Sequence, residues 1–325
     1  MTTNSLSILD VGHGNCAVVK TEKALLVIDA GPGAVLLSYL AGNKINSIDC
    51  LLISHADEDH VGGLLALIQN GISINKVRLN SDSMKGSAIW HDLSIVLTQL
   101  DLDDKIDLQV SLSADGLESF DYGDVRLEVS APSKHLVMKG VGSKDRNGAS
   151  ITANSMSAVI RVLKDSKPIA VFLGDLDEVG LNEIIFNQTD ISASIMVYPH
   201  HGGRSNARDE AGFVNALCQR VLPTKIYFSI GRGRHQTPRH EIIRTIKNTL
   251  KGAYIGCTQL SENCAAILHN KPQPYLDNMF AAGHEKGKSC TGTVTINLDD
   301  IEDINPTAAA HGSFIRAEVP AAMCL

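Results

Sequence analysis

The stretch His55-Ala56-Asp57-Glu58-Asp59-His60 carries the densest potential chemistry in the chain. Four of its residues, His55, Asp57, Asp59 and His60, are good metal ligands. A mostly apolar run, 48–53, precedes them, and Gly62-Gly63 and a second apolar stretch, 64–68, follow. That order reads as a buried strand, a ligand-rich turn and a helix. Strand alternation puts His55, Asp57 and Asp59 on one side, and the turn lets His60 join them. So many ligands in so short a span can hold two cations side by side. A pair of cations roughly 3.5–4 Å apart shares a water and turns it into a nucleophile near neutral pH. A merely solvated acidic turn would not need this pattern of His and Asp.

Other polar clusters fall at the ends of apolar runs. Asp29 closes the run 24–28, before Gly31-Pro32-Gly33. It reads either as a carboxylate that orients a metal-bound histidine or as the cap of a helix starting near Ala34. Asp175 closes the run 168–173, and His200 and His201 follow the run 195–198. Arg204 and Ser205 come next, and Arg208 a little later. The stretch 231–240 adds Arg232, Arg234, His235, Arg239 and His240. This is the densest positive cluster in the chain. Guanidinium forks suit phosphate oxygens, and His235 or His240 is placed to protonate a leaving oxygen. The bland reading is a solvated loop before a helix.

The elements that must carry these residues follow from periodicity. Strands are expected at 6–11, 16–20, 24–28, 48–53, 76–79, 125–130, 157–163, 168–173, 195–198 and 225–230. Helices are expected at 35–40, 61–69, 88–100, 179–186, 208–219 and 240–250. His91, on the 88–100 helix, reads as a surface or packing residue. The long irregular segment 133–155 reads as a mobile flap near the site. The run of strands that end in polar clusters, with helices between, predicts two mixed sheets face to face with helices outside. Ligands then converge on one edge. We expect one hydrolase domain over 1–300, its 253–298 portion a small terminal strand region, and a peripheral tail over 301–325.

Bulk composition narrows the class. The chain has 325 residues, of which 44% are hydrophobic and 20% charged, as in ordinary globular proteins. Aromatic residues are only 4%, so aliphatic packing must fill the core. A net charge of −7 argues against a surface that coats nucleic acid, though not against a local basic patch. No apolar stretch reaches the roughly 18 residues that span a bilayer, so no membrane partner is expected. Met1 to Ser5 lack the basic and apolar regions of an export signal. With seven scattered cysteines, this points to a cytoplasmic protein with thiols rather than a disulfide framework. Cys257, Cys264 and Cys290, with His269 or His284, are candidates for a structural zinc site, but six residues between the first two exceed the usual spacing.

Together these residues resemble the metallo-β-lactamase fold superfamily, a four-layer αββα sandwich of the α/β class. Its usual pattern is His-x-His-x-Asp-His, then a distant His, a Gly-Asp and a last His. Here Asp57 stands where the second His is usual, as in the metallo-β-lactamase domain of ComEC-type DNA-uptake proteins. The stretches 9–15, 28–31, 173–175, 199–202 and 154–157 are similar to the same subgroup, so the likeness spans roughly 6–245. His13 and Asn15 depart from the Gln and Asp common in that first loop. Between 133 and 154 the candidates for the distant His ligand are His135 and Asn154. The channel and oligonucleotide-binding domain of the uptake proteins have no counterpart, so only the hydrolase is implied.

The resemblance implies that His55 and Asp57 hold a first metal and Asp59 and His60 a second, with Asp175 between them. It implies that His200 or His201 completes the second site, and that Asp29, His13 and Asn154 support the ligands. Replacing a His by Asp57 makes the first site harder, favouring manganese or magnesium relative to zinc. The expected cofactors are two divalent ions, zinc or manganese. The expected activity is phosphodiesterase or nuclease cleavage of DNA or RNA. Alternatives are hydrolysis of a small ester, lactone or thioester, or an interaction protein with a degenerate site. The carboxylates at 57, 59 and 175 oppose the last of these.

Overall fold

Alternation along the strands dictates the layers. In the strand Leu25–Ala30, Leu25 and Val27 pack into one buried cluster, while Leu26 and Ile28 pack into another. A strand apolar on both faces must lie between two layers. The computed structural model describes residues 4–114, 116, 120–266, 276, 281–284, 287–300 and 307–325.

The first half carries β1 (Ser5–Ile8), β2 (Cys16–Lys20), β3 (Leu25–Ala30), α1 (Val35–Gly42), β4 (Ser47–Ile48) and β5 (Cys50–Leu52). It continues with α2 (Glu58–Val61), α3 (Leu64–Gln69), β6 (Ser73–Ile74), β7 (Lys76–Arg78), α4 (Ala88–Leu102) and β8 (Asp107–Gln109). The second half carries β9 (Phe120–Tyr122), β10 (Val125–Ala131), α5 (Lys134–Lys139), β11 (Val159–Lys164), β12 (Lys167–Phe172) and α6 (Glu178–Phe186). Then follow β13 (Ile195–Val197), α7 (Glu210–Val221), β14 (Lys225–Phe228), α8 (His240–Thr249), β15 (Tyr254–Cys257), β16 (Val294–Asn297) and α9 (Ala308–Glu318).

Two seven-stranded sheets result, ordered β16-β1-β2-β3-β5-β7-β8 and β15-β14-β13-β12-β11-β10-β9. Leu6, Val19, Leu26 and Leu52 of the first meet Leu127, Ile160, Val162 and Phe172 of the second. Outside the first sheet lie Leu36, Leu40, Leu64, Leu67, Leu93 and Leu97, from α1, α3 and α4. Outside the second lie residues of α6, α7, α8 and α9. This is the expected αββα sandwich. Among the described residues, no helix is long and apolar enough to cross a membrane.

Several details differ from the sequence reading. The helix expected at 61–69 is two helices, because the glycine pair lies against the end of β3. Gly63 N–H donates to Ala30 O at 2.8 Å, and a Cβ there would meet Gly31 O at 2.5 Å. The segment 133–155, read as a flap, contains α5 and is tied to α6. Arg146 forks onto Glu183 at 2.7 and 3.0 Å and lies 3.6 Å over the Phe186 ring. The 253–298 portion supplies an edge strand to each sheet, β15 beside β14 and β16 beside β1. Within 301–325, helix α9 packs Phe314 and Ile315 into the outer core; residues 301–306 lie outside the described residues.

Candidate metal centre

Strand directions bring the site to one edge. β3 and β5 are parallel, as are β12, β13 and β14. Their carboxyl ends deliver Asp29, the 55–60 turn, Asp175, His200-His201 and the 229–235 loop. β2 runs antiparallel to β3 with Cys16 opposite Ala30, which puts the His13 loop at the same edge. Asn15 N–H then donates to Asp59 O at 3.0 Å and fastens this loop to the ligand turn.

Four donors converge there. Asp59, His60, Asp175 and His201 each offer an atom, and these atoms lie within 4.8 Å of one another. His60 Nε2 is 3.5 Å from Asp175 Oδ1 and 4.0 Å from Asp59 Oδ1. His201 Nε2 is 3.1 Å from Asp59 Oδ2 and 3.9 Å from Asp175 Oδ1. The other ring nitrogens are committed elsewhere. His60 Nδ1 meets Asp29 Oδ2 at 2.7 Å, and His201 Nδ1 meets Ser229 O at 2.7 Å. Such contacts place the proton on Nδ1 and leave Nε2 to bind a cation.

The set fits a divalent cation on its own geometry. His60 Nε2 and His55 Nε2 are buried without a hydrogen-bond partner. A buried polar nitrogen left this way is costly unless something meets it. Two carboxylates and two imidazoles supply the charge and the mixed oxygen and nitrogen donors that such ions take.

Electrostatics are coupled across the cluster. Burial alone would raise the Asp59 carboxyl, but the His201 hydrogen bond and nearby His60 hold it well below the usual carboxylate range. Burial likewise opposes ionisation of Asp175, and His200 and His60 outweigh it. Burial, reinforced by His60, pushes the His55 imidazole down to about 4. Burial and neighbouring His201 push His13 down to about 4 as well.

The remaining expected residues divide. His55 Nε2 is 3.8 Å from both Asp57 Oδ1 and Asp175 Oδ2, yet neither His55 nor Asp57 joins the four-donor group. Of the two adjacent histidines it is His201 that joins. His200 instead meets Leu176 O through Nε2 at 3.1 Å and donates its backbone N–H to Asp175 Oδ1 at 3.1 Å. Both adopt left-handed backbone, φ 52° each, a conformation that costs energy and recurs at functional sites. Asp29 accepts from Ser54 N–H at 2.7 Å and Ser54 Oγ at 2.9 Å besides His60. His13 Nε2 lies 3.7 Å from Asp59 Oδ2, with its ring 4.4 Å from His201 and 4.6 Å from His235.

From the segment of Asn154, it is Ser157 that reaches the site. Its Oγ is 3.5 Å from His55 Nδ1 and accepts the Asp175 N–H at 2.9 Å. His135 lies on α5, apart from the four-donor group.

A cleft of about 720 Å³ opens at the ligand turn. Asp57 and Asp59 form part of its lining, with His13, His235, Lys85, Arg232, Arg234 and Lys288 around them. The expected basic patch is therefore redistributed. Arg232 borders the cleft, but its guanidinium donates to Leu260 O at 2.8 Å and to Ala265 O and Ala266 O at 2.7 and 3.0 Å. Arg204 pairs with Glu241 at 3.3 Å on the exterior. Ser205 is buried, with its Oγ accepting the Ala207 N–H at 3.3 Å, a turn contact. Arg239 donates its backbone N–H to Gly202 O at 3.0 Å just before α8. His240 opens α8 and lines a separate depression with Arg244, Lys247 and Met323. It is not placed to act at the cleft. Lys85 and Lys288 also line the cleft, and the sequence does not mark them, because a single lysine carries no motif signal.

The cysteines do not assemble as a zinc site among the described residues. Cys257 and Cys290 are buried in the outer core, with Cys264 partly buried against them, and no three of their donors gather as the Asp/His set does. Burial pushes the Cys257 and Cys290 thiols up, toward the inert protonated form. Cys290 Sγ lies 3.2 Å from His311 Nε2. His284 is near Asp10 instead, and His269 lies outside the described residues.

Residues 9–75 match the metallo-beta-lactamase superfamily. That stretch holds His13, Asp29 and the whole 55–60 turn, and the αββα sandwich is the metallo-beta-lactamase fold. Similar solved structures include the metallo-beta-lactamase fold protein YhfI from Bacillus subtilis, 11% identical over 78% of this chain and 96% of that one, TM-score 0.48. Another is Igni18, a metallo hydrolase from the archaeon Ignicoccus hospitalis, 14% identical over 77% of this chain and 91% of that one, TM-score 0.44. Human tRNase Z, short form, is 12% identical over 68% and 91% respectively, TM-score 0.38. No curated protein matches the chain.

Proposed function

We propose that this chain is a metal-dependent hydrolase of phosphodiesters, with a nuclease action on DNA or RNA. The observation that carries the reading is the lining of the cleft, where Arg234, Lys288, His13 and His235 stand with Lys85 and the carboxylates Asp57, Glu58 and Asp59. A small neutral ester has no use for these cations, whereas a phosphodiester brings negative charge that cations must meet. The resemblance of the 55–60 turn to ComEC-type domains, with Asp57 where a His is usual, supports the same choice.

Asp59, His60, Asp175 and His201 would hold a divalent cation, manganese or zinc, and His55 with Asp57 offers donors for a second. The chemistry such a cation would supply there is a water made acidic near neutral pH and an offset to charge developing on phosphoryl oxygen. The chain's own groups do the rest. Asp29 and the Ser229 carbonyl hold the His60 and His201 rings with Nε2 inward. Arg234 and Lys288 hold the phosphate backbone of the substrate along the cleft. His235, exposed beside His13, stands where a proton can pass to a leaving oxygen. Among the seven cysteines there is no disulfide, and a reducing compartment, the cytoplasm, suits such a chain.

The test is a substrate panel of single-stranded DNA, duplex DNA, RNA and a small ester, with protein stripped of metal and then supplied with manganese or zinc. Metal-dependent cleavage of nucleic acid, lost in Asp59→Ala, is the expected result. Efficient turnover of the ester with nucleic acid untouched overturns the proposal.

A further inference from the structure

The two halves of the metal centre are built unequally. Asp59, His60, Asp175 and His201 form a gathered set, but the His55 and Asp57 half is open. The segment expected to bring it a further ligand brings Ser157, which contacts His55 Nδ1 and not the open Nε2 side. A side chain from elsewhere has taken the place beside Asp57. Lys85 Nζ donates to Asp57 Oδ1 at 2.5 Å, with the lysine side chain only 23% exposed.

Lys85 is held in that position. Its loop is folded by Asp82, whose Oδ1 accepts the Met84 N–H at 2.9 Å and whose carbonyl accepts the Trp90 indole N–H at 3.1 Å. Ser87 Oγ then accepts the Trp90 backbone N–H at 3.4 Å and starts α4. The lysine is therefore delivered by a defined turn against a rigid helix start. Asp57 Oδ1 lies 3.8 Å from His55 Nε2 and is the oxygen that Lys85 holds, so the ammonium and a divalent ion shared by His55 and Asp57 compete for it.

We propose that Lys85 is a built-in counter-cation that competes with the second metal. The protein holds one divalent ion firmly on Asp59, His60, Asp175 and His201. The Lys85 ammonium occupies Asp57 and keeps the first position weak. When a second ion does bind, Lys85 is released into the same cleft, where it faces the substrate alongside Arg234 and Lys288. This inference rests on the metal reading of the site. It does not depend on the substrate being a phosphodiester.

The experiment is manganese titration of chelator-stripped protein, followed by calorimetry and by elemental analysis after desalting. Wild-type protein is expected to retain one ion per chain, with a second binding more weakly. Lys85→Met should tighten the second ion about two- to fivefold, the weight of a partly exposed ion pair, and leave the first unchanged. Lys85→Arg should behave as wild type. Adding Asp57→Asn to Lys85→Met should abolish the second ion while the first is retained, and this reports on the mechanism even if the single variant is poorly behaved. Equal affinity for two ions in wild type, or a Lys85→Met titration identical to wild type, overturns the proposal. Retention of no ion by wild type overturns the metal reading, and this inference with it.

Discussion

Asp29 shows how much one carboxylate does without touching a cation. It receives Ser54 N–H, Ser54 Oγ and His60 Nδ1 and thereby fixes which nitrogen His60 presents. Its backbone sits at φ 57°, which Asn tolerates nearly as well as Asp. Asp29→Asn therefore keeps the backbone but removes the charge and turns one accepting oxygen into a donor, so it cannot accept from Ser54 and His60 together. We predict a loss of metal affinity of about 10–100-fold with the fold intact, measured by competition with a coloured chelator. Unchanged affinity would remove Asp29 from the site. The arginines divide in the same way. Arg232→Ala removes the donors to three carbonyls and should cost about 1–3 kcal/mol of stability, seen as a lower Tm. Arg234→Ala should leave Tm alone. It should weaken nucleic-acid binding and flatten its salt dependence, since fewer phosphate contacts release fewer counterions. In the sequence these two arginines are equivalent members of one cluster. What separates them is a neighbour about thirty residues away, which spacing does not reveal.

At the level of elements, the recurring device is a strand that stops where a ligand begins. Gly174 makes the tightest of these stops, between β12 and Asp175. It has φ 51°, and a Cβ there would lie 2.2 Å from Ser157 Oγ and 2.8 Å from Ser54 Cβ. Gly174→Ala must therefore displace Ser157 and Ser54 or shift the strand end, and either disturbs Asp175, whose N–H Ser157 Oγ accepts. A left-handed alanine also costs about 1–2 kcal/mol by itself. The expected outcome is a lower Tm with metal affinity reduced as well; retention of wild-type affinity would show that Asp175 is not held by this contact. Such strand ends were legible in the sequence, because apolar runs closing on Asp29, His55, Asp175 and His200 announce themselves by composition. The positions of β16 and α9 were not legible. β16 pairs with β1 across the whole chain, Ser5 opposite Asn297, and a four-residue strand alternating buried and exposed positions says nothing of its partner. Periodicity alone places the glycine pair at 62–63 inside a helix, because it ignores the close approach of β3 that breaks it.

At the scale of the molecule, the site edge is held by ligand contacts and the outer core by packing, and the C-terminal helix belongs to the second system. α9 buries Phe314 and Ile315 against the sheet whose edge is β15. His311 goes in with them, its Nδ1 2.8 Å from Tyr254 Oη on β15 and its Nε2 3.2 Å from Cys290 Sγ. Burial pushes the His311 imidazole from its usual 6.5 down to about 4. The folded protein thus keeps His311 neutral over a range in which the unfolded chain protonates it. Stability from this group is fully present above pH 6.5 and is lost as pH falls from there toward 4, because the unfolded state then binds the extra proton. The loss approaches about 3 kcal/mol at the lower end. His55 and His13 titrate in the same direction, so the His311 share must be taken as a difference. His311→Gln, a neutral side chain of similar reach, should be somewhat less stable than wild type at pH 7.5. It should lose less on acidification, so that the two denaturation midpoints converge as pH falls to 4.5. Parallel midpoints across that range would show that α9 is not coupled to the body through this histidine.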